Sequence, residues 1–141
     1  MHMLLAGDHP VLAVLRHQRE VVTVRDREFT GVGFFTNFAV PEAAPRVPDV
    51  DRLVIGDVYA ELEGLKHTAG FLLFLRQGAI DFLECFGVED TFPQHPTIRR
   101  AFYMHPRTPG SPWLCETKER DLDWIFTSPR CLLRQMNEPP R

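Results

Sequence analysis

The sequence has only three cysteines, Cys85, Cys115 and Cys131, and none stands at CxxC spacing. So small and odd a set argues against a disulfide framework and fits a reducing, cytoplasmic setting. Lysine is scarce too. Arginine outnumbers it 14 to 2, which reads as the coding bias of a GC-rich bacterial genome and not as a phosphate-binding signal. No apolar run approaches the ~18 residues of a membrane span, and the longest, around Phe71 to Leu75, is strand-sized. Residues 1–7 lack the basic start and apolar stretch of a secretory leader. GxSxG is missing, and Gly31-Val32-Gly33 is too short for a dinucleotide loop. The six histidines form no HxH or HxxxH pair, so no metal site is expected. No catalytic residue and no cofactor is assigned.

What is present suits one domain of 141 residues, 44% hydrophobic and 25% charged. A chain of this size buries roughly 68–70% of its unfolded surface, enough for a core without metals. The net charge of −3 argues against a generic nucleic-acid binder. That charge is unevenly spread. Residues 1–93 carry 8 Lys+Arg against 14 Asp+Glu, and residues 94–141 carry 8 against 5. Eight of the 12 prolines lie from Pro93 onward. We therefore expect a well-patterned core over 8–93 and a basic, proline-rich extension over 94–141 of the same domain.

Asp8 and Pro10 open a helix with Val11, Val14 and Leu15 as its stripe. It ends near Glu20, where β-branched residues take over. Strands follow over 21–29 and 31–40, with Val32, Phe34, Thr36, Phe38 and Val40 on one face. Residues 41–48 hold three prolines and read as a loop. Over 53–62, Val54, Val58, Ala60 and Leu62 oppose Asp57, Tyr59 and Glu61. Residues 69–76 are apolar on both faces, the mark of a central strand. Gln77-Gly78 signals a tight hairpin, and over 79–86 Ile80, Phe82 and Phe86 face one way. A strand over 98–104, a helix over 116–126 and a last helical turn from Ser128 complete the reading. The expected fold is α+β: an antiparallel sheet of about five strands, an N-terminal helix, and a helical, partly irregular C-terminal segment.

Three functional readings follow from the residues. In the first, Asp57, Glu61, Asp81, Glu84, Glu89 and Asp90 lie on or beside one sheet and offer an acidic face to a basic protein partner. The bland alternative is a solvated face with charged edges that block strand-to-strand association. Glu84 stands out because it alternates in phase with Ile80, Phe82 and Phe86. It is therefore at a sheet rim or paired, either with a partner or with Arg76. In the second reading, a pocket between sheet and helix, lined by Phe34, Tyr59, His67 and Glu84, serves a small enzyme or a small-molecule binder. In the third, a homodimer buries a spare phenylalanine face, because the adjacent Phe34 and Phe35 point to opposite sides of their strand. Cys85 beside His67 is conceivable as a nucleophile and base, but a buried inert thiol fits the apolar strand better.

Residues 27–38, Gly64 to Phe71 and Ile80 to Phe86 together resemble a set of small uncharacterised bacterial proteins. Those carry an E-F-T-G-x-G-F strand, a G-L-x-H-x-A-G-F turn and an L-E strand. The resemblance spans about residues 8–93. It implies no catalytic role. It does imply an immunity-type binder that masks a toxin domain, since chains of this kind accompany toxin genes.

Overall fold

The computed structural model describes residues 1–89 and 91–127. Its centre is a seven-stranded, wholly antiparallel sheet in the order β1-β2-β5-β4-β3-β6-β7. The strands are β1 (Thr23–Phe29), β2 (Gly33–Ala39), β3 (Arg52–Leu62), β4 (Ala69–Arg76), β5 (Ala79–Phe86), β6 (Ile98–Pro106) and β7 (Leu114–Thr117). The α+β class and the antiparallel sheet are as expected. The strand count is seven, not about five. The basic extension supplies two of the seven: β6, where a strand over 98–104 was expected, pairs with β3, and β7, which was not expected, pairs with β6, so residues beyond Pro93 continue the same sheet. Residues 116–126 are not one helix, because Leu114–Thr117 pairs with β6 and a short helix α2 follows at Leu122–Thr127. Cys131, Asp90 and the helical turn expected from Ser128 lie outside the described residues.

β4 is the middle strand of the seven, which explains its two apolar faces. Gln77 and Gly78 both have positive φ, 49° and 71°, as a primed two-residue hairpin turn requires. Helix α1 (Pro10–Val21) carries Pro10 in its first turn, but its cap is His9 and not Asp8. His9 is extended, its Nδ1 accepts from the Val11 amide at 3.2 Å, and its ring stacks on Phe126 at 3.8 Å. Leu12 and Leu15 are fully buried with Leu53, Ile55, Leu73 and Ile80. Truncating either leucine should cost about 2–5 kcal/mol.

The face that α1 covers, with the 3-10 turn Met3–Leu5 and α2, is the helix side of the sheet. Among the described residues no helix joins the cluster on the other side, built from Leu72, Phe74 and Phe82 with Phe35, Val54 and Phe86.

Two polar devices lock the helix side. Gln18 is wholly buried on α1. Its amide nitrogen donates to Pro45 O (2.8 Å) and Gly78 O (2.9 Å), and its oxygen accepts from the Ile80 amide (2.9 Å). The helix is thereby tied to the proline loop and to the β4–β5 turn. The second device is the pair Arg120–Asp57. Arg120 Nε donates to Oδ2 at 2.9 Å and Nη2 to Oδ1 at 2.8 Å. Its third nitrogen donates to Ala6 O at 2.7 Å, and its guanidinium lies 5.2 Å from the Tyr103 ring centre. The two side chains are only 7% and 2% exposed.

Removing one partner of such a pair leaves a buried charge without compensation, at about 3–5 kcal/mol. We expect Asp57→Leu and Arg120→Met each to lose about that much in urea denaturation. The double variant should lose clearly less than the two losses together. Simple additivity would show that the pair does not couple the segments it joins.

Candidate functional site

Each expected site residue other than Asp90 has a definite place, and most of these carboxylates are engaged within the chain. Asp57 is buried on the helix side against Arg120. Glu61 sits on β3 and accepts from Arg100 at 2.9 Å, while Arg100 also reaches Glu116. That hydrogen bond, with the charge of Arg100, holds the Glu61 carboxyl below the usual glutamate range. Asp81 lies 3.5 Å from Arg76. Glu89 accepts from the Lys66 and His67 amides, at 2.8 and 3.1 Å, across the β3–β4 turn. Those backbone donors, Lys66 first, hold its carboxyl low as well. Glu84 is partly buried on the helix-free side, paired in register with Phe35 and Leu72. Among the described residues, the carboxylates therefore occupy both sides of the sheet and a turn, not one face.

Two bulges cause the scatter. In β3, Ile55 pairs with Leu73 and Val58 with Phe71, so Gly56 and Asp57 together oppose Leu72. A bulge of this kind reverses the alternation. It turns Asp57 to the helix side with Val58, and it parts Val54 from Val58, Ala60 and Leu62. In β5, Leu75 pairs with Ile80 and Phe74 with Phe82, leaving Asp81 as the extra residue. Ile80 then joins the helix-side core, whereas Phe82, Glu84 and Phe86 face the other way. The expected set Phe34, Tyr59, His67 and Glu84 is consequently not brought together. Phe34 is on the helix side. Tyr59 meets Phe86 edge-on at 6.3 Å on the helix-free side, with Glu84 on that same side. His67 is exposed in the β3–β4 turn.

A groove does lie on the helix side, with a cavity volume of about 890 Å³. α1 packs over β3, β4 and the start of β5, so the helix side of β1 and the outer part of β2 lie beside the helix and not under it. Phe34, Thr36, Phe38, Phe71 and Leu83 form its floor. Val24, Arg27 and Phe29 of edge strand β1 form one wall, and residues 94–98 form the other. Arg19 and Val22, at the end of α1, close one end. No carboxylate lines it. Of the seven large apolar side chains that the described residues leave exposed, three stand here: Val24 at 53%, Phe29 at 50% and Ile98 at 55%.

Sequence reading missed Arg19, Arg27, His95 and Ile98 as members of one site. Only the strand phase of β1 could have pointed to them, by setting Arg27 on the side of Phe34 and Thr36. Cys85 pairs with Phe34 and Phe71 beneath the groove and is 1% exposed. Burial, with the charge of Glu84 beside it, pushes its thiol up to about 12. The thiolate is the nucleophile, so this cysteine is inert near neutrality. Iodoacetamide at pH 8 should leave Cys85 unmodified in the folded chain and alkylate it in urea; labelling of the folded chain would contradict this packing. A comparison of the chain with protein-family models, curated proteins and solved structures finds no match.

Proposed function

We propose that this chain is a binding module that holds a small molecule in the groove between the helix side of the sheet and residues 94–98. The observation that carries the reading is the character of that groove: an apolar floor from three strands, exposed aromatic and aliphatic walls, and a few polar groups at the rim. Its volume falls within the 300–1,000 Å³ range typical of small-molecule sites. Covering Val24, Phe29 and Ile98 removes apolar surface from water at about 25 cal/mol per Å². The test is fluorescence titration with the neutral probe N-phenyl-1-naphthylamine. Saturable one-to-one binding is expected. Because Phe29 and Ile98 are half exposed and outside the buried core, Phe29→Ser with Ile98→Ser should weaken it several-fold in a chain that still melts cooperatively. A probe that never saturates, or a variant that binds as well as the parent, overturns the reading.

A second reading rests on the helix-free side. There Glu28, Phe35, Glu84 and Leu72 form one cross-strand row, acidic and apolar by turns. Such a row suits a basic protein partner, as a toxin domain masked by this chain would be, because complementary charge steers docking and penalises wrong partners. Co-expression with the product of the neighbouring gene tests it. A complex that survives purification and is weakened by Glu84→Lys supports it, and a chain that purifies alone counts against it.

A further inference from the structure

We infer that the occupant of the groove is a small amphipathic carboxylate, with an acyl or simple hydrocarbon body on the floor and its anionic head at Arg27 and Arg19. The inference rests on the groove being a binding site and adds the class of ligand.

The first ground is charge. The chain is acidic as a whole, at −3, yet the groove lining holds two arginines and no carboxylate. The residues flanking Arg27 in sequence, Asp26 and Glu28, do not neutralise it. Both turn to the helix-free side, where the Asn37 amide donates to them at 2.6 and 3.2 Å. Among the described residues Arg27 makes no hydrogen bond or ion pair, and the contact of Arg19 is with His2 Nδ1 at 3.4 Å. Arg16, Arg46, Arg100 and Arg120 are spent within the fold, on carbonyls, the proline loop, Glu61 with Glu116, and Asp57, and of the arginines without a described hydrogen bond or ion pair, Arg25, Arg99 and Arg107 do not line the groove. The guanidinium fork matches a carboxylate in plane and can bind it through two parallel N–H donors.

The second ground is the floor. Phe34, Phe38, Phe71 and Leu83 offer no polar atoms, and Thr36 is the one polar side chain among them, only 3% exposed. A nucleobase or sugar would bring several donors and acceptors onto this floor and lose their hydrogen bonds to water without replacement, which is costly. A hydrocarbon body loses none. Head at the rim and tail on the floor is therefore the arrangement that leaves every group satisfied.

The full-length chain, loaded with N-phenyl-1-naphthylamine, is titrated with dodecanoate and separately with dodecan-1-ol, each kept below its aggregation limit. The two share a chain length and differ in the charged head. Dodecanoate should displace the probe at a concentration at least about tenfold lower than the alcohol, as charge-assisted bonds to arginine imply. Arg27→Gln should shrink that preference several-fold, and Arg19→Gln with Arg27→Gln should abolish it, each read as the ratio of acid to alcohol displacement on the same variant. Arg27 and Arg19 lie outside the buried core, so both variants should melt with the parent. Equal displacement by acid and alcohol overturns the inference, as does a preference that survives both substitutions, or displacement by neither. In each of these outcomes the neutral probe still binds, so the groove reading stands; a probe that never binds takes both down.

Discussion

The buried pair between Arg120 and Asp57 is the constraint that brings the distant parts of this chain into one structure. Its carboxylate comes from the bulge of β3, and its guanidinium from the turn before α2, 63 residues later. The third guanidinium nitrogen of Arg120, Nη1, donates to the carbonyl of Ala6, just after the 3-10 turn, and the guanidinium lies by the ring of Tyr103 on β6. Tyr103 in turn donates from its hydroxyl to Met3 O at 2.8 Å. The start of the chain, the middle strand pair and the basic extension thus share one hydrogen-bonded centre. Desolvating two charges is expensive, and the geometry recovers that cost by satisfying three donors of the arginine and both oxygens of the aspartate. The pair contributes most by specifying which segments meet. An uncompensated Asp57 in any other register would sit buried and charged.

Much of the sheet was legible in the sequence because its signals are local. The apolar run of β4, the Gln77-Gly78 turn and the alternation in β2 each depend on neighbours a few residues away. The two bulges are different. Alternation has a period of two, so one extra residue sends every later side chain to the opposite face. Reading straight through residues 53–62 and 79–86 placed Asp57 with Tyr59, and Ile80 with Phe82, whereas each pair divides between the two sides. Gly56 was the available hint. A Cβ there would stand 2.2 Å from a Leu72 methyl, so the bulge uses its lack of a side chain. After Pro93 the strand over 98–104 was visible, but its place in the sheet and the whole of β7 were not. β6 opens on Ile98, Arg99 and Arg100, all exposed, and gains its place from pairing with β3 and not from its own pattern.

Two of the four glycines in the segments that carry the sequence resemblance have packing roles. Gly33 and Gly70 both pair with Phe86, from the two strands on either side of β5. A Cβ on Gly33 would stand 2.0 Å from the Cys85 carbonyl, and one on Gly70 would stand 2.3 Å from the Phe86 ring. The ring of Phe86 lies over the bare backbone of Gly70 and meets Tyr59 edge-on. One aromatic side chain thereby covers the gap that a glycine leaves in a central strand, where it would otherwise weaken the sheet. His67, the most chemistry-bearing residue of the turn segment, has its amide held by Glu89 and its side chain out in solvent.

The groove was hidden from the sequence for the same reason that it is interesting. An acidic chain draws attention to its carboxylates, yet Asp57, Glu61, Asp81 and Glu89 are consumed in holding the fold, and the charge that lines the groove is cationic. β1 shows how this arises. Its alternation, shifted once at Arg25, sends Val24, Arg27 and Phe29 to the helix side and Asp26 and Glu28 to the other. As an edge strand it needs charge on both sides to discourage pairing with another chain. That requirement alone would be met by any mixture of signs. The arrangement found here separates the signs across the strand, with the acids tied down by Asn37 and the arginine left facing an apolar floor. Edge protection explains why β1 is charged. It does not explain why the two signs are sorted, or why exposed Phe29 and Val24 stand on the arginine's side, whereas a ligand with an anionic head and an apolar body accounts for both.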